Sequence, residues 1–147
     1  MPYWQCFYHV VFATISRQPL LTPALRATAC RLISQKVEAL GCVLHAVHAQ
    51  PDHVHIVLSV PPSIAAAFAI GQIKGSSSHA LAVLSAPSAA FAWQGDYGVL
   101  TFGRSHLGNV VGYVNDQDRR HANADLVPEL ERMSTVEDGP ADPRQPA

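Results

Sequence analysis

Two histidines separated by a single residue, His53 and His55, are the side chains in this sequence best suited to chemistry. They lie in the run Asp52-His53-Val54-His55-Ile56-Val57-Leu58, whose β-branched residues favour an extended strand. Successive side chains of a strand point to opposite faces, so His53 and His55 share one face while Val54, Ile56 and Leu58 share the other. Neutral imidazole is the commonest metal ligand, and two of them on a rigid strand are already oriented. The tripeptide alone is more often a structural pair than a site. A third ligand and a reacting group must come from elsewhere in the chain.

The elements that would carry them can be read from the spacing of apolar residues. Trp4 to Thr14 is aromatic and β-branched and predicts a buried strand. After a loop over Ile15 to Leu21, Thr22-Pro23 gives an N-cap and a first-turn proline. Leu25, Ala29, Leu32, Ile33, Val37 and Leu40 then repeat at helical spacing up to a stop at Gly41. Cys42 to Gln50 predicts a second strand, and Pro51-Asp52 turns it into the histidine strand, so the two should pair antiparallel. Strand, helix, strand, strand is the opening of a split β-α-β layout. Ser63 is placed to cap a second helix over Ile64 to Leu84, with Gly71 and Gly75 weakening it and a break expected near Lys74-Gly75-Ser76-Ser77-Ser78. Tyr97 to Phe102 is the expected fourth strand. From Ser105 to about His121 a last helix is expected, with Leu107, Val110, Val111 and Val114 as its core stripe. At about 100° per residue, Asn109, Tyr113, Asp116, Gln117 and Arg120 form a neighbouring polar stripe, with Tyr113 and Gln117 one turn apart.

Beyond Asn123 the pattern is lost, so the chain divides into a domain over residues 1–123 and an acidic, proline-containing tail over 124–147 expected to be disordered. Met1 to Asn115 carries six bases and three acids, whereas Asp116 to Ala147 carries four bases and eight acids. A body of net charge +3 is weakly basic, so binding to a polyanion would depend on where the charges sit. Cys6, Cys30 and Cys42 are odd in number and form no Cys-x-x-Cys pair, which argues against a disulfide framework or zinc knuckle and for a reducing, cytoplasmic setting. No apolar stretch of membrane-spanning length is evident.

Five tracts together resemble the small single-tyrosine HUH transposases, which move insertion sequences as single-stranded DNA. They are Tyr8-His9-Val10-Val11-Phe12, Pro51-Asp52-His53-Val54-His55, Lys74-Gly75-Ser76-Ser77-Ser78, Phe91-Ala92-Trp93-Gln94 and Tyr113-Val114-Asn115-Asp116-Gln117. The resemblance implies an α+β, ferredoxin-like antiparallel sheet with helices on one face and an extra C-terminal helix carrying the tyrosine. It also implies that His53, His55 and Gln117 bind a divalent metal and that Tyr113 is the nucleophile. Members of that family are dimers in which the tyrosine helix of one subunit can serve the histidine pair of the other, and their partners are single-stranded hairpin ends of an insertion sequence.

The implied chemistry is physically coherent. A tyrosine that attacks a phosphodiester keeps the bond energy in a phosphotyrosine ester, ready for rejoining. A phenol with a pKa of about 10 is mostly protonated at neutral pH, so a cation that polarises the phosphate and offsets charge on its oxygens is the natural accompaniment. Two imidazoles and an amide oxygen leave that cation its full charge and suit Mg²⁺ or Mn²⁺ better than a closed zinc site.

Lys74, Ser76 and Ser77, with Arg104, Arg119 and Arg120, are candidates to hold DNA backbone, or equally a solvated helix break and exposed charges. Trp93 can stack a base or fill core, and Tyr97 is a reserve nucleophile in a turn-like setting. His9, His45 and His48 are read as packing or surface residues, and His121, next to Arg119-Arg120, can meet phosphate. The rival reading, from another class, is a domesticated or inactive relative that binds DNA hairpins without cutting, which the low positive charge favours.

Overall fold

A computed structural model of the chain describes residues 2–85 and 90–133. Four strands, β1 (Phe7–Ala13), β2 (Val43–Ala49), β3 (His53–Ser59) and β4 (Gly98–Phe102), form one antiparallel sheet in the order β2-β3-β1-β4. β3 is hydrogen-bonded between β1 and β2, although α1 (Pro23–Ala39) connects those two strands, which is the split β-α-β topology expected from the sequence. His55 pairs with Val11 of β1 and with His48 of β2. The sheet is α+β and ferredoxin-like, as the element order implied.

The alternation along β3 divides the molecule into two layers. Val54, Ile56 and Leu58 join Val10 and Phe12 in the larger core, covered by Ala29, Ile33 and Val37 of α1 and by Ala69, Ile70, Ile73 and Leu81 of α2 (Ala66–Leu84). On the other face Val57 and Ala46 pack against Tyr113 and Val114 of α3 (Leu107–Asn115), with Leu107, Val110, Val111, Val127 and Leu130 around them. All seven residues of β3 are therefore buried, and the histidine face lies under a helical cover.

α1 begins as the sequence predicts, with Thr22 Oγ1 accepting from the Leu25 N–H at 3.3 Å and Pro23 in the first turn. It closes at Gly41, whose φ of +77° is a left-handed conformation natural to glycine. α2 departs from expectation in two ways. Its N-cap is Ala65, and Ser63 plays no capping part. It also runs unbroken through Gly71 and Gly75, because the buried row Ala69, Ile70, Ile73, Ser77 and Leu81 holds it to the sheet.

The last helix is where spacing misleads most. A short 3-10 turn at Arg104–His106 leads into α3, which stops at Asn115; Asp116 (φ −104°, ψ 17°) leaves helical geometry, and α4 (Gln117–Ala122) starts anew. The Tyr113 carbonyl accepts the Asp116 N–H at 3.3 Å and the Gln117 side-chain Nε2 at 3.1 Å. Asp118 then fastens α4 to the rim of the sheet, accepting from Gln50 at 2.9 Å and from Arg26 at 3.1 Å.

The chain after Asn123, expected to be tail, follows a defined path as far as Met133. It turns through Ala124 at positive φ and forms α5 (Pro128–Glu131), packed against β1 and β4. β4 admits this segment by having Gly98: a Cβ there would collide with the Arg132 carbonyl and stand 3.0 Å from the Val11 side chain. The expected disorder of residues 134–147 lies outside the described residues. Among the described residues, no helix is long and apolar enough to cross a membrane.

Candidate metal centre and tyrosine

His53 and His55 project from β3 into the layer under α3, α4 and α5, and both are 1% exposed or less. Each ring is held by its Nδ1. His53 Nδ1 meets Asp52 Oδ1 at 2.7 Å, and Asp52 in turn pairs with Arg17 at 3.4 Å. His55 Nδ1 meets Nε2 of His9, from β1, at 2.9 Å. The two Nε2 atoms consequently face the same space, buried and without a hydrogen-bond partner.

That space is completed by a residue the sequence reading assigned to the tail. Glu131 of α5 brings Oε1 to 3.2 Å from His55 Nε2 and 3.5 Å from His53 Nε2, and His121 Nε2 lies 3.7 Å from the same oxygen. The four ligand atoms of His53, His55, His121 and Glu131 are all within 4.8 Å of one another. Gln117, fully buried, adjoins the cluster through its Oε1, which accepts from His121 Nε2 at 2.8 Å.

Tyr113 closes the arrangement. It is 3% exposed, its hydroxyl donates to Glu131 Oε2, and its oxygen accepts the Val127 N–H at 3.1 Å. Its ring stands edge-on to His55, centroids 6.0 Å apart, and the Arg120 guanidinium carbon lies 4.7 Å from the ring centroid. Tyr113 and the histidine pair meet within one chain.

The electrostatics favour an ionised Glu131 carboxylate beside His9, His55 and His121 rings that resist protonation. Burial alone would raise the Glu131 pKa, but the close approach of the His53 and His55 rings, and then the hydrogen bond from the Tyr113 hydroxyl, outweigh it and hold the acid well below the usual carboxylate range. Burial depresses His55 and His121, and it lowers His9, with help from His55, to about 3. Burial, and then the hydrogen bond to Glu131, push the Tyr113 phenol above its ordinary value. Two orphaned nitrogens converging with a carboxylate oxygen fit a divalent cation: the ligand types are right, and the lone pairs have nothing else to bind.

The other predicted residues are elsewhere. Lys74 lies on α2, beyond the opposite face of the sheet, and its ammonium donates to the carbonyls of Gln94, Gly95 and Asp96 at 2.6, 3.3 and 3.1 Å. Ser77 is buried, donating to the Ile73 carbonyl at 2.7 Å and accepting the Trp93 indole N–H at 2.9 Å; Ser76 is exposed beside it. Trp93 fills core, edge-on to Phe12 and Phe91, and Tyr97 packs against that same core. Arg104 is exposed, Arg119 is paired with Asp116 at 2.9 Å, and Arg120 alone of the three touches the site, over Tyr113.

Sequence reasoning read His9 as a packing or surface residue and His121 as a phosphate contact, and it left Glu131 in the tail. His9 shares the β1 face of Val11 and Ala13, whose partners across β3 are His55 and His53, so a register would have exposed it. For Glu131 the signal was Pro128 opening a short turn whose flanking Val127 and Leu130 face the sheet.

Comparison with known proteins agrees with this architecture. Residues 2–117 match the family described as "Transposase IS200 like". The chain is 28% identical over 75 residues to the transposase for insertion sequence element IS200 of Salmonella typhimurium strain LT2, and equally to that of Salmonella typhi, the match covering 51% of this chain and 49% of each relative. The chain thus spans about half the length of the curated relatives it matches. Among solved structures, one from Deinococcus radiodurans R1, provisionally assigned as a transposase, superposes with a TM-score of 0.64 at 23% identity, covering 80% of this chain and 95% of that one. A REP-associated tyrosine transposase bound to a REP hairpin gives a TM-score of 0.64 at 14% identity, over 93% of this chain and 84% of that one. At these identities the two structures speak to the fold, and the family follows from the sequence match: the chain belongs to the IS200-like transposases.

Proposed function

We propose that this protein cuts and rejoins single-stranded DNA with Tyr113 as nucleophile, at a centre that holds Mg²⁺ or Mn²⁺. One observation carries the reading: a single carboxylate, Glu131, meets the Tyr113 hydroxyl with one oxygen and the two orphaned histidine nitrogens with the other. His53 and His55 would hold the cation, with Gln117 as the ligand implied by resemblance and Glu131 as a carboxylate the sequence reading did not anticipate. When bound, the cation would neutralise charge developing on the scissile phosphate. Several imidazoles beside one carboxylate favour Mn²⁺ of the two.

In the reaction the Tyr113 oxygen forms a bond to phosphorus as the bond to the 3′ oxygen breaks. The phenol gives up its proton, and the departing oxygen takes one up as a free 3′-hydroxyl. The 5′ side stays on the enzyme as a phosphotyrosine until a second 3′-hydroxyl reverses the step. Arg120, whose guanidinium carbon lies 4.7 Å from the Tyr113 ring centroid and which also pairs with Asp116 and Asp125, would in this reading meet phosphate next to the phenol. Hairpin ends of an insertion sequence are the proposed substrate class, in keeping with the hairpin held by one structural neighbour. A homodimer belongs to this reading, each chain using its own tyrosine.

A second reading, a hairpin-binding relative that no longer cuts, draws support from the burial of Tyr113 and from the engagement of Lys74 with carbonyls. Incubation with Mn²⁺ and labelled single-stranded oligonucleotides separates the two. The proposal expects a covalent protein–DNA band that needs metal and is lost in Tyr113→Phe. Hairpin retention with no covalent band, in the wild type, would establish the binder instead.

A further inference from the structure

The cluster under α3 to α5 assigns one histidine no role as a ligand. His9 is 1% exposed, its ring centroid is 5.1 Å from that of His55, and its Nε2 is 2.9 Å from His55 Nδ1. A single proton joins those two nitrogens, and either ring could own it. We infer that His9 is a positioning residue which accepts the Nδ1–H of His55 and so fixes the tautomer in which His55 offers its Nε2 lone pair to the cation.

The inference rests on the metal reading above, and the alternative tautomer shows why. Were His9 the donor, His55 would carry its own proton on Nε2. That proton would point towards Glu131 Oε1, 3.2 Å away, and would occupy the lone pair, and a protonated nitrogen cannot ligate a metal. With His9 accepting, both ligand rings obey one rule: each is gripped at Nδ1, His53 by the Asp52 carboxylate and His55 by an imidazole, and each turns Nε2 to the same point. Such outer partners ordinarily are carboxylates or backbone carbonyls. An imidazole performs the task without adding a further anion to a cluster that already holds the Asp52 and Glu131 carboxylates. The spacing is built into the sheet, because His9 and Val11 lie two apart on one face of β1 and Val11 is the partner of His55.

The test is Mn²⁺ binding by calorimetry to the full chain as wild type, His9→Gln and His9→Leu, with folding followed by circular dichroism. The amide introduced by His9→Gln keeps an acceptor near the place of Nε2, so the affinity of that variant should stay near wild type. His9→Leu removes the acceptor and should weaken Mn²⁺ binding by about 10–100-fold. A folded His9→Leu variant that binds as tightly as wild type overturns the inference while leaving the metal reading intact. A wild type that binds no Mn²⁺ overturns both. Should His9→Leu fail to fold, nitrogen-15 NMR of the Mg²⁺-loaded wild type decides: Nδ1–H on both His9 and His55 supports the assignment, and Nε2–H on His9 overturns it.

Discussion

Tyr113 and Glu131, 18 residues apart in sequence, are joined by a hydrogen bond from the phenol to Oε2 of the carboxylate. The other oxygen of that carboxylate faces His53 and His55, so the phenol and the imidazoles are linked through one side chain.

Because ionised Glu131 opposes ionisation of its neighbour, second only to burial, removing its charge should make Tyr113 more acidic. In Glu131→Gln the Tyr113 phenol is expected to titrate at lower pH than in wild type. Ultraviolet titration of tyrosinate, taken as a difference against Tyr113→Phe, measures this. An unchanged or higher midpoint would show that the carboxylate does not act on the phenol.

Two side chains compete for the role of further metal ligand, and their variants should behave differently. Glu131→Ala deletes an anion facing both histidines and should weaken Mn²⁺ binding by roughly tenfold or more, consistent with loss of a close charge. Gln117→Leu leaves that anion in place, but it strips the Tyr113 carbonyl and His121 of a buried partner. It should therefore lower stability by about 1–3 kcal/mol and, if Gln117 is also a ligand, weaken the metal as much as Glu131→Ala does. Calorimetry and denaturant unfolding on the same two variants read both effects.

A side chain at Gly98 is expected to disturb the centre from β4. Gly98→Ala must push the Arg132 backbone away, and Glu131 is its immediate neighbour. The overpacking should cost about 1–3 kcal/mol and reduce Mn²⁺ affinity although no ligand is altered. Retention of wild-type affinity would show that the α5 segment can adjust without moving its carboxylate.

Acid should destabilise the metal-free protein through its buried imidazoles. The folded pKa of His9 is depressed from the ordinary 6.5 to about 3, and burial lowers His45, His55 and His121 in the same direction. A depressed histidine contributes stability that is present above its unfolded pKa and lost as pH falls towards its folded value, because the unfolded chain takes up protons that the folded chain refuses. Urea unfolding at pH about 7.5 and at pH about 4.5, above and below the unfolded histidine pKa, should differ by a few kcal/mol, and His9→Gln should narrow the gap.

Local rules read from the chain determined much of this protein. Thr22-Pro23 and Gly41 bound α1, strand alternation put His53 and His55 on one face, and the run of β-branched segments specified four strands in a split β-α-β order. These features depend on residues close in sequence, where capping, periodicity and backbone preference act directly. Tertiary structure decided the rest. Lys74 and Ser77, offered to phosphate by composition alone, were taken up by carbonyls and by Trp93, since a half-buried ammonium or a buried hydroxyl bonds to whatever the fold brings near. His9 reached His55 through strand register, and Glu131 reached both histidines and Tyr113 because Gly98 let the segment after α4 lie against β4. Contacts between residues that far apart in sequence leave no periodicity to read; they exist only when the sheet is assembled and its second face is covered.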